Sequence, residues 1–95
     1  MKVKVHYFAA VRELVNLREE ILDVADGTTV KGLLDLLVAR HGGRLKEYVF
    51  DSKTGSPRPH LQFLLGEKSI SGINGFSTVL TDGCVFAIIP PVGGG

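Results

Sequence analysis

The sequence is short of cysteine, of excess charge and of long apolar runs, and each shortage excludes a class of protein. It holds one cysteine, Cys84, which excludes an internal disulfide and a cysteine-based zinc or iron–sulfur site, and we expect a reducing, cytoplasmic location. Eleven Lys and Arg against ten Asp and Glu give a formal net charge of +1, which disfavours a nucleic-acid partner. No apolar stretch approaches a membrane span, and the first residues do not resemble a signal peptide, so we expect no membrane partner.

The length and composition are those of one small globular domain. A chain of 95 residues buries only roughly 60–65% of the surface that its unfolded form exposes, so its core must be compact. Hydrophobic residues make up 44% and charged residues 22% of the sequence, which argues against disorder. We expect one domain over residues 1–92 and a flexible glycine tail at residues 93–95.

The first quarter of the chain predicts two strands with a short helix between them. Residues 2–8 alternate between apolar and polar side chains, which is the period of a half-buried strand. Residues 9–15 suggest a short helical turn. Residues 20–24 indicate a second strand, which the pair Asp26-Gly27 ends with a turn.

The clearest helix covers residues 30–41, because its apolar side chains recur at helical spacing and form one stripe. Thr28 or Thr29 can cap its start, and Gly42-Gly43 can end it. The residues of the stripe are Val30, Leu33, Leu34, Leu37, Val38 and His41. We expect this stripe to be buried against a sheet.

The rest of the chain alternates between short predicted elements and turns. These elements are a helical piece at residues 45–50, an exposed loop at 51–60, a buried strand at 61–65, an irregular stretch at 69–80 with at most one short strand, and a last strand at 84–89. The turn signal Thr81-Asp82-Gly83 precedes the last strand, and Pro90-Pro91 ends it. The order predicts an α+β roll in which a mixed sheet grips one main helix.

Side chains that could form a conventional active site are scattered. His6, His41 and His60 lie on a strand, at a helix end and in a loop, without the spacing of metal ligands. We therefore interpret them as solvated or capping residues and expect no metal. Cys84 is better explained as a small buried hydrophobe than as a nucleophile.

The glycines at residues 93–95 are the one unusual feature. They follow the rigid pair Pro90-Pro91 and lack side chains, so they could reach roughly 10 Å beyond their anchor through a channel too narrow for other residues. A frayed end is the simpler explanation for most glycine-rich termini. By itself the triple glycine is a weak signal.

Longer motifs make that signal specific. Residues 80–83, Leu-Thr-Asp-Gly, and residues 87–95, Ala-Ile-Ile-Pro-Pro-Val-Gly-Gly-Gly, resemble the closing signature of the small subunit of molybdopterin synthase, in the MoaD/ThiS family of sulfur carriers. Residues 8–14, Phe-Ala-Ala-Val-Arg-Glu-Leu, resemble that family's opening. Gly94-Gly95 match its functional pair. The departures are Gly66-Glu67, where a Val-Asn-Gly type of turn is common, and Cys84, where an acidic residue often stands.

The resemblance implies a ubiquitin-like β-grasp fold and a co-substrate rather than an enzyme. It implies that an E1-like partner uses ATP to adenylate the C-terminal carboxylate of Gly95, and that a sulfur donor then converts it to a thiocarboxylate. The large subunit of molybdopterin synthase would use this sulfur to build the dithiolene of the molybdenum or tungsten cofactor. No cofactor would be bound permanently.

The same resemblance does not determine which surface contacts these partners. It also does not determine the final product. We expect Gly93 and Gly94 to enter a partner's channel, and we expect Phe8, Phe86 and the face of residues 61–65 to supply docking area. A ubiquitin-like modifier that joins Gly95 to lysines of target proteins is the main alternative. A non-covalent binding module with the same fold is a third.

Overall fold

The computed structural model describes residues 1–90, which form a five-stranded sheet with three α-helices. The strands are β1 (Lys2–Tyr7), β2 (Glu19–Asp23), β3 (Gln62–Leu65), β4 (Lys68–Ser69) and β5 (Val85–Ile89). The helices are α1 (Ala9–Val15), α2 (Val30–His41) and α3 (Gly43–Val49), and two 3₁₀ turns span Ile70–Gly72 and Gly75–Ser77. No helix in this part of the chain is long and apolar enough to cross a membrane.

The sheet is mixed, with the strand order β2-β1-β5-β3-β4. The central strands β1 and β5 run parallel, and their pairing places Tyr7 beside Ile88. The other neighbouring pairs are antiparallel. The predicted α+β fold is confirmed, and β5, the last strand within residues 1–90, lies at the centre of the sheet.

The core lies between one face of the sheet and the helices. Strands β1 and β5 direct side chains that are fully buried toward α2. On the helix, four of the five apolar residues of the predicted stripe are buried, and Val38 is partly buried against the same cluster. The principal core residues are Val3, Val5, Tyr7, Val30, Leu33, Leu34, Leu37, Phe63, Phe86 and Ile88.

The ends of α2 are set by the residues that the sequence indicates. The hydroxyl of Thr29 accepts a hydrogen bond from the backbone N of Gly32 at 3.2 Å, which satisfies one of the free donors of the first turn. Gly42 has a φ of 95°, a left-handed value that favours glycine, and its N–H donates to the carbonyl of Val38. The chain then turns directly into α3.

The irregular stretch at residues 69–80 has less strand and more helix than expected. Its residues include the end of the two-residue strand β4 and both 3₁₀ turns. The side chain of Thr78 is buried, and its hydroxyl donates to the carbonyl of Gly75 at 2.7 Å. This bond closes the second turn and carries the chain to Leu80, which is buried in the core.

Candidate functional site

Strand β5 carries the chain from the centre of the sheet to the predicted reactive end. Ile88 pairs with Tyr7 on one side and with Phe63 on the other, so β5 is held by both neighbours almost to its last residue. Pro90 follows and has no N–H to continue a ladder. The tail predicted at residues 93–95, with its expected mobility and its few contacts, lies outside the described residues.

The sheet face that points away from α2 has an apolar band beside this exit. Val85 and Ile89 of β5 are partly exposed on this face, and Ala87 lies between them; Ala87 is small and largely covered, but none of the three belongs to the core cluster. Leu64 of β3 pairs with Ala87 and is partly exposed on the same face. These four side chains form the outer band. A partner could contact this surface while it binds the residues that follow β5.

Phe8 extends this surface at the end of β1. Its side chain is 37% exposed. The ring of His6, which points to the outer face, lies 6.3 Å from that of Phe8. Since β1 ends next to Ile88 of β5, Phe8 is close to the point where the chain leaves the sheet. Its position suits the predicted docking role.

The expectation that Phe86 offers docking area is wrong. Its side chain is fully buried and stacks on Phe63, with the ring centroids 6.0 Å apart. Successive side chains of a strand point to opposite faces, so Phe86 points toward α2 while its neighbours Val85 and Ala87 point outward. Residues 61–65 divide in the same way, and Leu64 is the apolar side chain of that segment on the outer band.

Two of the three histidines, His6 and His41, lie against carboxylates. His41 Nε2 lies 3.1 Å from the carboxylate of Glu20, and both side chains are largely buried. Burial of Tyr7 beside the Glu20 carboxylate raises the pKa of its hydroxyl well above the ordinary range. His6 Nε2 lies 3.0 Å from Glu19, without the alignment of a hydrogen bond.

No set of residues for metal or nucleophilic chemistry is assembled in the described part of the chain. Among residues 1–90, no group of three or more His, Cys, Asp or Glu side chains could hold a metal ion. Cys84 is partly buried against the core. His60 is exposed in the loop before β3. The described residues instead form a strand end that is paired on both sides and has apolar surface around it. This arrangement suits presentation of the residues after β5 to a partner.

Comparison with known proteins places this geometry in one family. The sequence matches the ThiS family over residues 5–95. It is 30% identical over 95 residues to small archaeal modifier protein 3 of Haloferax volcanii, and 32% identical over 98 residues to the molybdopterin synthase sulfur carrier subunit of Chlamydomonas reinhardtii. Each match covers all of both chains.

Among solved structures, SAMP1 from Haloferax volcanii superimposes with a TM-score of 0.87 at 27% identity, and the match again covers all of both chains. This likeness confirms the ubiquitin-like β-grasp arrangement that the sequence resemblance implies. A solved structure named as a modifier protein therefore shares the fold described above along its whole length. The chain belongs to the ThiS family of small ubiquitin-like carrier and modifier proteins.

Proposed function

We propose that this protein is a sulfur carrier of molybdopterin biosynthesis in the cytoplasm, and that the C-terminal carboxylate of Gly95 carries the sulfur. The observation that supports the proposal most directly is the full-length match to a relative named as a molybdopterin synthase sulfur carrier subunit. The Pro-Pro-Val-Gly-Gly-Gly ending at residues 90–95 supports the same branch.

The chemistry requires an activating partner. A C-terminal carboxyl group has a pKa of about 3.5, so at neutral pH it is an anion and a poor electrophile. An E1-like enzyme would join it to AMP from ATP and release pyrophosphate, which gives an acyl-adenylate. A donor persulfide would then attack the carbonyl carbon with its terminal sulfur and displace AMP, which gives an acyl disulfide. A second thiol would attack the donor's sulfur, form a disulfide with the donor and release the chain as a thiocarboxylate. ATP is consumed by the partner and is no cofactor of this chain.

The described residues contribute position and docking area to these steps. Strand β5 is paired on both sides, so the point from which the chain leaves the sheet is fixed relative to the outer band. The residues after β5 would therefore enter a partner that contacts the outer band and Phe8 in a fixed orientation. The large subunit of molybdopterin synthase is the partner we propose for sulfur transfer, and Gly93 and Gly94 would pass through its channel.

A second function, protein modification, is favoured by a separate observation. The relative that is 30% identical over the full length is named a small archaeal modifier protein. In that role the adenylated Gly95 carboxylate would be transferred to the amine of a lysine on another protein, which forms an isopeptide bond. Both roles use the same fold, tail and activation, so they are compatible in one protein.

The experiment that separates these functions is intact-mass analysis of the protein isolated from its native cells under reducing conditions. A carrier yields a species in which one oxygen of the C-terminus is replaced by sulfur, and a variant without Gly95 does not. Peptides with a lysine joined to the chain's terminal glycine reveal modification. If neither species forms while the E1-like enzyme is present and active, a non-covalent binding module is the better account.

A further inference from the structure

The outer edge of β2 has backbone groups without a strand partner. Val24 donates its N–H to Met1, and Tyr7 donates to the carbonyl of Arg18, so the backbone groups of the even-numbered residues 18–24 point toward β1. In an antiparallel pair the residues between them point the other way. The N–H and C=O groups of Glu19, Ile21 and Asp23 therefore point away from β1. In the described residues β2 is an edge strand of the sheet, so no strand pairs with these groups.

A groove with both polar and apolar lining residues runs beside this edge, between β2 and α2. It has a volume of about 430 Å³ and is lined by both elements. A second hollow of about 480 Å³ continues it toward the start of α2, and the two share Asp23 and Leu36. Ile21 is 62% exposed and Leu36 41% exposed. The edge thus combines free backbone groups with a groove for side chains, which is the geometry that accepts an added strand.

The charges along β2 indicate which strand it accepts. Ile21 is flanked two residues away by Glu19 and Asp23, whose side chains are 52% and 68% exposed. Glu19 contacts His6, and Asp23 contacts Lys2 and the N-terminal amino group of Met1, so these ionic contacts lie on the β1 side of the strand. An added strand therefore meets carboxylates on either side of an exposed isoleucine, and basic residues there complement them.

The same charges disfavour a second copy of this chain as the occupant. A symmetric antiparallel pair centred on Ile21 would place Glu19 of one copy directly opposite Asp23 of the other. Like charges directly opposite each other in a sheet are destabilising. Acidic residues at an edge also deter aggregation between sheets.

We propose that the β2 edge binds an extended segment of a partner protein with the pattern basic, apolar, apolar, apolar, basic. The central apolar residue lies beside Ile21, and its neighbours point into the groove at Leu36 and Ala39. Since β1 separates β2 from β5 and strands are about 4.8 Å apart, this site is about 10 Å from the strand that leads to the tail. A partner can therefore be held at the edge while the tail is used elsewhere.

The test uses two capped synthetic peptides with soluble flanks, one with the core Lys-Val-Ile-Val-Lys and one with Glu in place of both Lys. Nuclear magnetic resonance of the ¹⁵N-labelled protein follows binding. We expect saturable shifts at Glu19, Ile21 and Asp23 with the basic peptide, slower exchange of the Ile21 amide, and weaker binding of the acidic peptide. Equal binding of both peptides, shifts confined to the outer band, or no binding would overturn the proposal.

Two matched variants locate the site. Ile21→Lys should weaken binding of the basic peptide about tenfold, which corresponds to about 1.4 kcal/mol. Ile73→Lys, a change at another exposed isoleucine, should leave binding unchanged. Circular dichroism verifies that both variants fold, and activation by the E1-like enzyme should be equal in both. Unchanged binding by Ile21→Lys, or a dimer of the free protein that this change dissociates, would contradict the proposal.

Discussion

At the scale of single residues, Asp51 shows how backbone donors around a carboxylate couple local structure to pH. It follows α3 and begins the loop before β3, where its Oδ1 accepts hydrogen bonds from the backbone N of Lys53 at 2.7 Å and of Thr54 at 3.3 Å. These bonds, with a smaller contribution from the charge of Arg58, lower the pKa of the carboxyl group from its ordinary value of 3.8. The ionised carboxylate of Asp51 therefore stabilises the conformation of this loop.

The direction of this shift predicts how acid affects the protein. A carboxyl group whose pKa is lower in the folded state stabilises that state above its ordinary value of 3.8, and the contribution is lost as the pH falls through the lower folded pKa. We expect the Asp51 carboxyl carbon to titrate with a midpoint below 3.8 in nuclear magnetic resonance spectra. In urea unfolding, the stability advantage over Asp51→Asn should shrink on acidification, and a midpoint at or above 3.8 would contradict the assignment.

Single residues also show where sequence reasoning about the site fails. In β1 the polar side chains of Lys4 and His6 alternate with apolar ones, so the buried face is readable from the sequence. In β5 every side chain from Val85 to Ile89 is apolar, because this central strand is covered by helices on one side and carries the outer band on the other. No alternation marks Phe86 as inward, and its face is fixed only by its register with β1 and β3.

At the scale of elements, strong periodicity and turn residues predict most of the fold. The main helix occupies the predicted residues, and β2 and α3 begin one and two residues before the predicted starts. Residues 69–80 have Gly72 and Gly75 and no sustained period, so their 3₁₀ turns depend on contacts such as the buried Thr78 hydroxyl. The open edge of β2 is likewise invisible in the sequence, because strand order is a property of the whole sheet.

The packing of α2 gives a prediction that uses neighbouring leucines as a matched pair. Leu37 is fully buried against the sheet, whereas Leu36 is 41% exposed. Leu37→Ala should lower the free energy of unfolding by about 2–5 kcal/mol, because it removes apolar contacts and leaves a cavity. Leu36→Ala should change it by less than about 1 kcal/mol. Urea unfolding measures both, and equal losses would mean that α2 is not packed by this stripe.

At the scale of the whole molecule, the folded core and the proposed reactive group occupy different parts of the chain. The buried hydrophobic cluster ends at Ile88, and the glycines of residues 93–95 have no side chains to add to it. Stability and activity should therefore respond to different changes. Substitutions in the core lower stability first, and substitutions near the end of the chain lower activation first.

This separation predicts that extending the chain by one residue after Gly95, or deleting Gly95, abolishes activation while the fold is kept. One residue displaces the reactive carboxylate by about 3.3 Å along an extended chain, while a misplacement of about 1 Å can cost on the order of 100-fold in rate. Gly94→Val should act in the same direction, because a branched side chain obstructs a narrow channel. The measurement is ATP-dependent adenylate and thiocarboxylate formation with the E1-like enzyme, beside thermal unfolding of each variant.

Gly43→Ala is the control for these variants. Gly43 begins α3, and a Cβ there would have no atom within 4 Å, so the change should alter neither activation nor folding. Loss of activation in the tail variants with unchanged unfolding then assigns the defect to the position of the carboxylate. If the extended protein is activated as fast as the original without being trimmed, the Gly95 carboxylate is not the reactive group. Recognition through the folded surface would then have to account for the protein's role.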